Sequence, residues 1–360
     1  MPKASTELLM QQLGEQRRTV DFDTYDMQVQ ELLRQLEGRQ ISVSPAYQRQ
    51  FRWDDERCSE LIESLLLGIP IPNLFMATND EDLTWEVVDG VQRLSTMVKF
   101  AGDDQLRQRL GLGDSLRLVD LQKLKAFDGY TFGELPSAVR QHFNTRPLKV
   151  VTLNDKSDKI LRIDLFERLN TGGVELTDQE IRDCVFYGEF SDMLDGLAGN
   201  KSLATVLKLT AKQEKDGTRK ECVLRFFAYL DRYKKFVHSV KDFLDDYMRD
   251  ASESFSHAIR AREFVEVMAQ LAVVFPHGLQ RPNRKGRTSL VLFEGVAVGA
   301  ALAIRNQGHL QTQGMAQWLA SDELRAFTTG ATNDRSAVKN RIEFCRDRFM
   351  GEPYVPRPQN

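Results

Sequence analysis

Apolar residues recur at Val29, Leu32, Leu33 and Leu36, the spacing of one helix face, and Gly38 follows as a stop. Ile41 and Val43 then begin a short strand that Pro45 interrupts, leaving a polar, arginine-bearing stretch that runs to Trp53. A second helical face, Leu61, Ile62, Leu65 and Leu66, starts behind a cap at Asp54 or Asp55 and ends at Gly68. The run IPIPNLFMAT and the segment from Trp85 to Val88 read as strands on either side of the acidic break NDED, a pairing expected to form a hairpin. Leu94, Met97, Val98 and Phe100 line the next helix.

Beyond residue 101 the pattern becomes loop-rich before PSAVRQHF predicts a helix and PLKVVTL a β-branched strand. From Asp155 onward the strand period is lost. Helical spacing recurs over 157–169, 177–187, 219–232, 257–275, 288–305 and 336–349. The fold class expected is therefore α+β, with a small mixed α/β lobe over 1–155, an all-helical lobe over 156–352 and a flexible tail over 353–360. The run LVLFEGVAVGAALAI, 290–304, is shorter than the roughly 20 residues that span a bilayer and contains Glu294, so it reads as a buried helix and no membrane contact is expected. Gly295 and Gly299 share a helical face and leave room there for another helix.

Composition narrows the classes. With 49 Lys+Arg against 52 Asp+Glu, the formal charge of −3 excludes a chain that coats nucleic acid through bulk charge, so contact with DNA has to be local. Four cysteines at 58, 184, 222 and 345 are too scattered for a disulfide framework or a zinc cluster and suit a reducing cytoplasm. The start MPKASTELLMQQ lacks the apolar core of a secretion signal, so export is not expected.

Candidate chemistry gathers where the strand ending in Val87-Val88 gives way to Asp89, Gly90, Val91, Gln92 and Arg93. A glycine at this seam lets the backbone turn tightly and approach a ligand, and a helix start offers N–H groups and a partial positive charge to an anion. Arg93 has a fork suited to phosphate oxygens; Asp89 suits a metal ion, a ribose hydroxyl or the neighbouring backbone. The plainer alternative is a helix cap at Asp89 and a surface arginine. Gln48, Arg49 and Arg52 can bring two further cations to the same pocket, or pair with Asp54, Asp55 and Glu56. The loop Asn170-Thr171-Gly172-Gly173 is either a lid that closes on ligand or a helix C-cap. Arg281, Arg284, Lys285 and Arg287 in RPNRKGR offer a local phosphate contact for DNA or a solvated loop.

The ordered set PAYQRQFRW, LIESLLLGIPIPNLFM, VVDGVQRLSTM, FDGYTFGELP, VVTL and FERLNTGGVELTDQEIRDCVFYG resembles the GmrSD-type restriction-endonuclease N-terminal domain family, over roughly residues 25 to 190. The resemblance implies a ParB- and sulfiredoxin-like superfold that binds nucleotides through a Gly-x-x-Arg turn, here Gly90 to Arg93. It implies nucleotide contacts from Gln48, Arg49, Arg52, Ser64, Gly90, Gln92, Arg93, Asn170 and Gly172, and catalytic work by Asp89, Glu63 and Arg93, with Glu63 as general base or metal partner and Mg²⁺ at Asp89. Val91 stands where the family pattern has a glutamine, which removes one polar contact and leaves the glycine and the arginine in place.

The activity implied is nucleoside triphosphate hydrolysis in a bacterial restriction or anti-phage defence system, coupling nucleotide state to DNA or to a companion nuclease. Five isolated histidines, at 142, 238, 257, 277 and 309, argue against a second, histidine-based nuclease centre in this chain. Two alternatives stand beside the hydrolase: a DNA-binding scaffold with a degenerate pocket, and a metal-dependent nuclease using the Asp89 site. The apolar helices of the second lobe permit a homodimer.

Overall fold

The computed structural model describes residues 5, 7–11, 22–43, 53–78, 83–153, 177–186, 188–281 and 286–354. The chain divides into two compact units, Met1–Glu175 and Leu176–Asn360. The expected boundary near 155 and the helix expected over 157–169 fall in residues outside those described.

The first unit is a five-stranded mixed sheet with helices packed on it. Its strands are β1 (Phe22–Gln28), β2 (Ile41–Ser42), β3 (Leu74–Thr78), β4 (Trp85–Asp89) and β5 (Pro147–Leu153), in the order β1-β5-β3-β4-β2. β3 and β4 are antiparallel, as the expected hairpin requires, with Thr78 opposite Trp85 and a bulge between Phe75 and Met76. β3 runs parallel to β5 and β4 parallel to β2, while β1 lies antiparallel on the outer side of β5, from Phe22 opposite Leu153 to Gln28 opposite Pro147.

The helices begin and end where their caps dictate. α1 (Val29–Glu37) buries Val29, Leu32, Leu33 and Leu36 and stops at Gly38. α2 (Asp55–Leu67) is capped by the Asp54 carboxylate, which accepts from the Arg57 amide at 2.8 Å, and ends at Gly68, whose φ of 80° is the left-handed C-cap. α3 (Val91–Ala101) buries Val91, Leu94, Met97, Val98 and Phe100. α4 (Asp104–Arg109) and α5 (Ser137–Asn144) complete the layer. Cys58 on α2 is buried, its sulfur 3.4 Å from the Thr96 hydroxyl oxygen on α3, while Lys99 on α3 reaches Asp55 on α2 at 2.5 Å.

The second unit is built from α6 (Asp178–Val185), α7 (Glu189–Ala198), α8 (Lys201–Val206), α9 (Thr218–Arg232), α10 (Val240–Glu253), α11 (His257–Val274), α12 (Leu290–Gln307), α13 (Met315–Leu319), α14 (Asp322–Thr328) and α15 (Arg335–Phe349). A Thr177–Glu180 capping box starts α6. Phe226, Phe227 and Phe264 form an aromatic core between α9 and α11. The mixed α/β unit followed by a helical one is the α+β class expected.

Among the described residues α12 is long and apolar enough to cross a membrane, yet most of it is buried inside this unit. α15 covers it at the two glycines. A Cβ at Gly295 would sit 3.2 Å from the Arg341 carbonyl oxygen, and one at Gly299 would sit 2.6 Å from the Cys345 Cβ. Glu294 is the polar exception inside the apolar run. It accepts from Arg341 at 2.5 Å and from Arg225; Arg225 and Arg182 both reach Glu221, at 2.7 Å and 3.1 Å, and Arg182 extends to Asp245 at 2.6 Å. These alternating charges tie α12, α15, α9, α6 and α10 together. Burial alone would raise the Glu221 carboxyl, but Arg225 and Arg182 beside it hold it below its ordinary range. Cys222 and Cys345 are buried in the same unit, where desolvation pushes their thiols up.

Candidate functional site

Strand β4 ends at Asp89, and the chain turns into α3 through Gly90 with φ of 100°. That angle belongs to glycine. Space demands it as well, because a Cβ there would lie 2.4 Å from Leu74 Cδ2 on the neighbouring strand. The first intrahelical bond runs from the Leu94 amide to the Gly90 carbonyl at 2.8 Å, and no side chain caps α3. Its first-turn amides therefore have no partner within the helix, and the dipole adds partial positive charge at the same end.

Arg93 is the most heavily committed member of the turn. Its guanidinium donates to the carbonyl oxygens of Pro72 at 2.5 Å and Asn73 at 3.0 Å, and to Asp89 Oδ2 at 2.5 Å. The Arg93 side chain is 11% exposed and that of Asp89 34%, so the pair is half sheltered with the acid on the open side. The arginine anticipated as a phosphate fork thus organises the turn itself, fastening the end of the proline-rich GIPIPN segment to the start of α3. The structure brings Asp89, Gly90, Gln92 and Arg93 together at this corner. Thr96 donates to the Gln92 carbonyl at 2.8 Å, within the next turn of the helix.

Glu63 faces different chemistry. It is buried on α2, and its carboxylate accepts from the backbone amides of Lys123 and Leu124, both at 2.7 Å, and of Gln122 at 3.4 Å. Burial pushes this group up, but the amides of Leu124, Lys123 and Gln122 together outweigh it and hold the carboxyl below its ordinary range. One turn earlier the Ser59 hydroxyl accepts from the Val119 amide at 3.0 Å. Both side chains meet the backbone demand of the irregular 119–124 segment, which has no ladder to satisfy it. The observed work of Glu63 is that of a loop anchor. A hint was present in the sequence: Ser59 and Glu63 are four apart on the side of α2 that buries Cys58, Ile62 and Leu66.

Ser64 gives its carbonyl to the Ile69 amide at 2.9 Å, closing α2 before the proline-rich segment. The ring of Trp53 lies under the Arg57 guanidinium, 4.7 Å away. Gln48, Arg49, Arg52, Asn170 and Gly172 lie outside the described residues, as do Arg284 and Lys285 of the basic loop. Arg281 and Arg287, at the ends of that loop, both line a cavity in the helical unit. Among the described residues no three potential metal ligands gather.

No curated protein and no solved structure matches this chain. One family model does, over residues 29–187, a span that begins at the first residue of α1, contains the Asp89–Arg93 turn and ends just past α6. Its description is the N-terminal domain of the GmrSD restriction endonuclease, and residues 29–187 of this chain are similar to that domain.

Proposed function

We propose that the N-terminal unit is the nucleotide-responsive module of a DNA restriction or defence system, binding the phosphates of a nucleoside triphosphate at the start of α3. The reading is supported by one arrangement above others: a glycine in the left-handed region, an uncapped helix start and a half-exposed carboxylate at a single corner. Arg93 acts here as a positioning residue, holding Asp89 and the Pro72–Asn73 backbone in register. Mg²⁺ held by one carboxylate together with substrate phosphates is an ordinary arrangement, and Asp89 is the residue to supply that carboxylate. A bound ion would draw charge from the phosphate oxygens while the α3 amides fix their orientation. A ParB-like superfold and a cytoplasmic setting belong to the same reading, as do DNA and a companion nuclease as partners.

The commitment of all three Arg93 contacts favours a second reading, a DNA-engaging scaffold that keeps the fold without turnover. Phosphate release from ATP, GTP and CTP, measured with Mg²⁺ on the full chain beside Asp89→Asn and Arg93→Lys, separates the two. Turnover that falls at least tenfold in Asp89→Asn, in protein with unchanged circular dichroism, supports the hydrolase. Wild-type release no greater than that of the variants leaves the scaffold.

A further inference from the structure

The helical unit contains a cavity of about 380 Å³ whose walls carry Arg281, Arg287 and Arg325 and no carboxylate. Elsewhere in the unit arginines 182, 225, 260, 305 and 341 are each matched to a glutamate or aspartate. Among the described residues the side chains of Arg287 and Arg325 form no ion pair or hydrogen bond, and both are exposed. Arg287 and Arg325, two such cations on one cavity, repel one another, a cost that an anion between them removes.

Part of the wall is held by its own hydrogen bonds. Thr288, buried beside Arg287, donates its amide to the Lys208 carbonyl at 2.8 Å and accepts from the Lys208 amide at 2.9 Å. Arg281 is tied to the Thr328 hydroxyl at the end of α14, and that hydroxyl donates to Leu324 at 2.5 Å. Ser289 and Leu290, also on the wall, are the cap and first residue of the eighteen-residue α12, which lacks a side-chain cap bond, so its dipole adds positive potential to the cavity. Leu292 and Leu319 add an apolar lining, and the volume lies within the range of small-ligand sites.

We propose that this cavity is a phosphate-binding site of the helical unit, with Arg287 and Arg325 contacting the anion and Arg281, held by Thr328, completing its surroundings. Guanidinium forks match phosphate oxygens in pairs, and the apolar lining accommodates the group that the phosphate is attached to. The phosphate belongs either to a free nucleotide or to the backbone of a DNA strand. This inference does not depend on the Asp89 corner.

The test uses the full chain, with AMP and ATP titrated calorimetrically and a fluorescein-labelled 20-base-pair duplex titrated by anisotropy at two salt concentrations. The variants are the double Arg287→Ala/Arg325→Ala and the double Arg287→Lys/Arg325→Lys, at exposed positions where the fold is retained. Binding of either probe that weakens at least tenfold in the alanine double and recovers in part in the lysine double supports the proposal. A nucleotide is the source if AMP or ATP carries the loss; DNA is the source if the duplex carries it and its salt dependence becomes shallower by about one to two in log–log slope. Probes that do not bind wild type, or that bind the alanine double equally well, overturn it.

Discussion

Arg93 Nη2 lies 2.5 Å from Asp89 Oδ2, one helical turn away, and the same guanidinium donates to the carbonyl oxygens of Pro72 and Asn73. One side chain therefore joins the end of β4, the start of α3 and the entry to β3. Arg93→Ala leaves the Pro72 and Asn73 carbonyls and a half-sheltered carboxylate without their donor and is expected to destabilise the N-terminal unit by about 1–3 kcal/mol. Arg93→Lys keeps the charge but offers a point donor where a planar fork spans three acceptors, so it should recover less than half of that loss. Urea unfolding followed by circular dichroism measures both.

Gly90→Ala meets two obstacles, the positive φ and Leu74 Cδ2 at 2.4 Å from the new Cβ. A loss of about 2–3 kcal/mol is expected. The steric share disappears when Leu74 is shortened, so a Gly90→Ala/Leu74→Ala double should lose less stability than the sum of the single variants. Strict additivity in a double-mutant cycle would mean that backbone strain alone requires the glycine.

Glu63 ties stability to pH. Its carboxyl is held below its ordinary range in the folded protein, so it contributes stability in full above the unfolded carboxylate pKa, near 4.3, and that contribution is lost as pH falls through the lower folded value. Glu63→Gln, which retains one acceptor and lacks the charge, should cost about 1–3 kcal/mol at neutral pH and flatten the acid limb of the stability profile. Denaturant midpoints between pH 7 and pH 3 provide the measurement.

In the helical unit, Glu294→Ala leaves Arg341, fully buried, and Arg225, largely buried, without their shared acceptor, and a loss of about 3–5 kcal/mol is expected. Gly299→Leu should be more disruptive than Gly295→Ala, because its Cβ already falls 2.6 Å from Cys345 Cβ and 2.7 Å from the Arg346 amide nitrogen. Thermal melts of the two glycine variants order the closeness of the α12–α15 contact.

Much of the N-terminal unit was legible in the sequence because its helices keep a 3.6-residue apolar period and its caps are ordinary: Asp54 before α2, Gly68 after it, Gly38 after α1. β1 escaped because FDTYDMQ buries only Met27; an edge strand against β5 needs little apolar surface, and the pattern gives no sign of the pairing that makes it a strand. The short helices α8, α13 and α14 are too brief to show a period. At the candidate corner, the glycine and helix start were readable from spacing, but the partners of Arg93 were not: Pro72 and Asn73 lie some twenty residues back, and only the folded hairpin brings them to the guanidinium. Glu63 shows the same limit, since its amide donors come from a segment about sixty residues away.

Among the described residues three thiols sit sealed in the interior, Cys58 in the first unit and Cys222 and Cys345 in the second. Desolvation keeps each protonated at neutral pH, so an alkylating reagent reaches sulfur only when the surrounding helices part. Mass-resolved labelling of these positions turns them into separate chronometers for the opening of the two halves, and a ligand that tightens one half slows its own clock while the other keeps its pace.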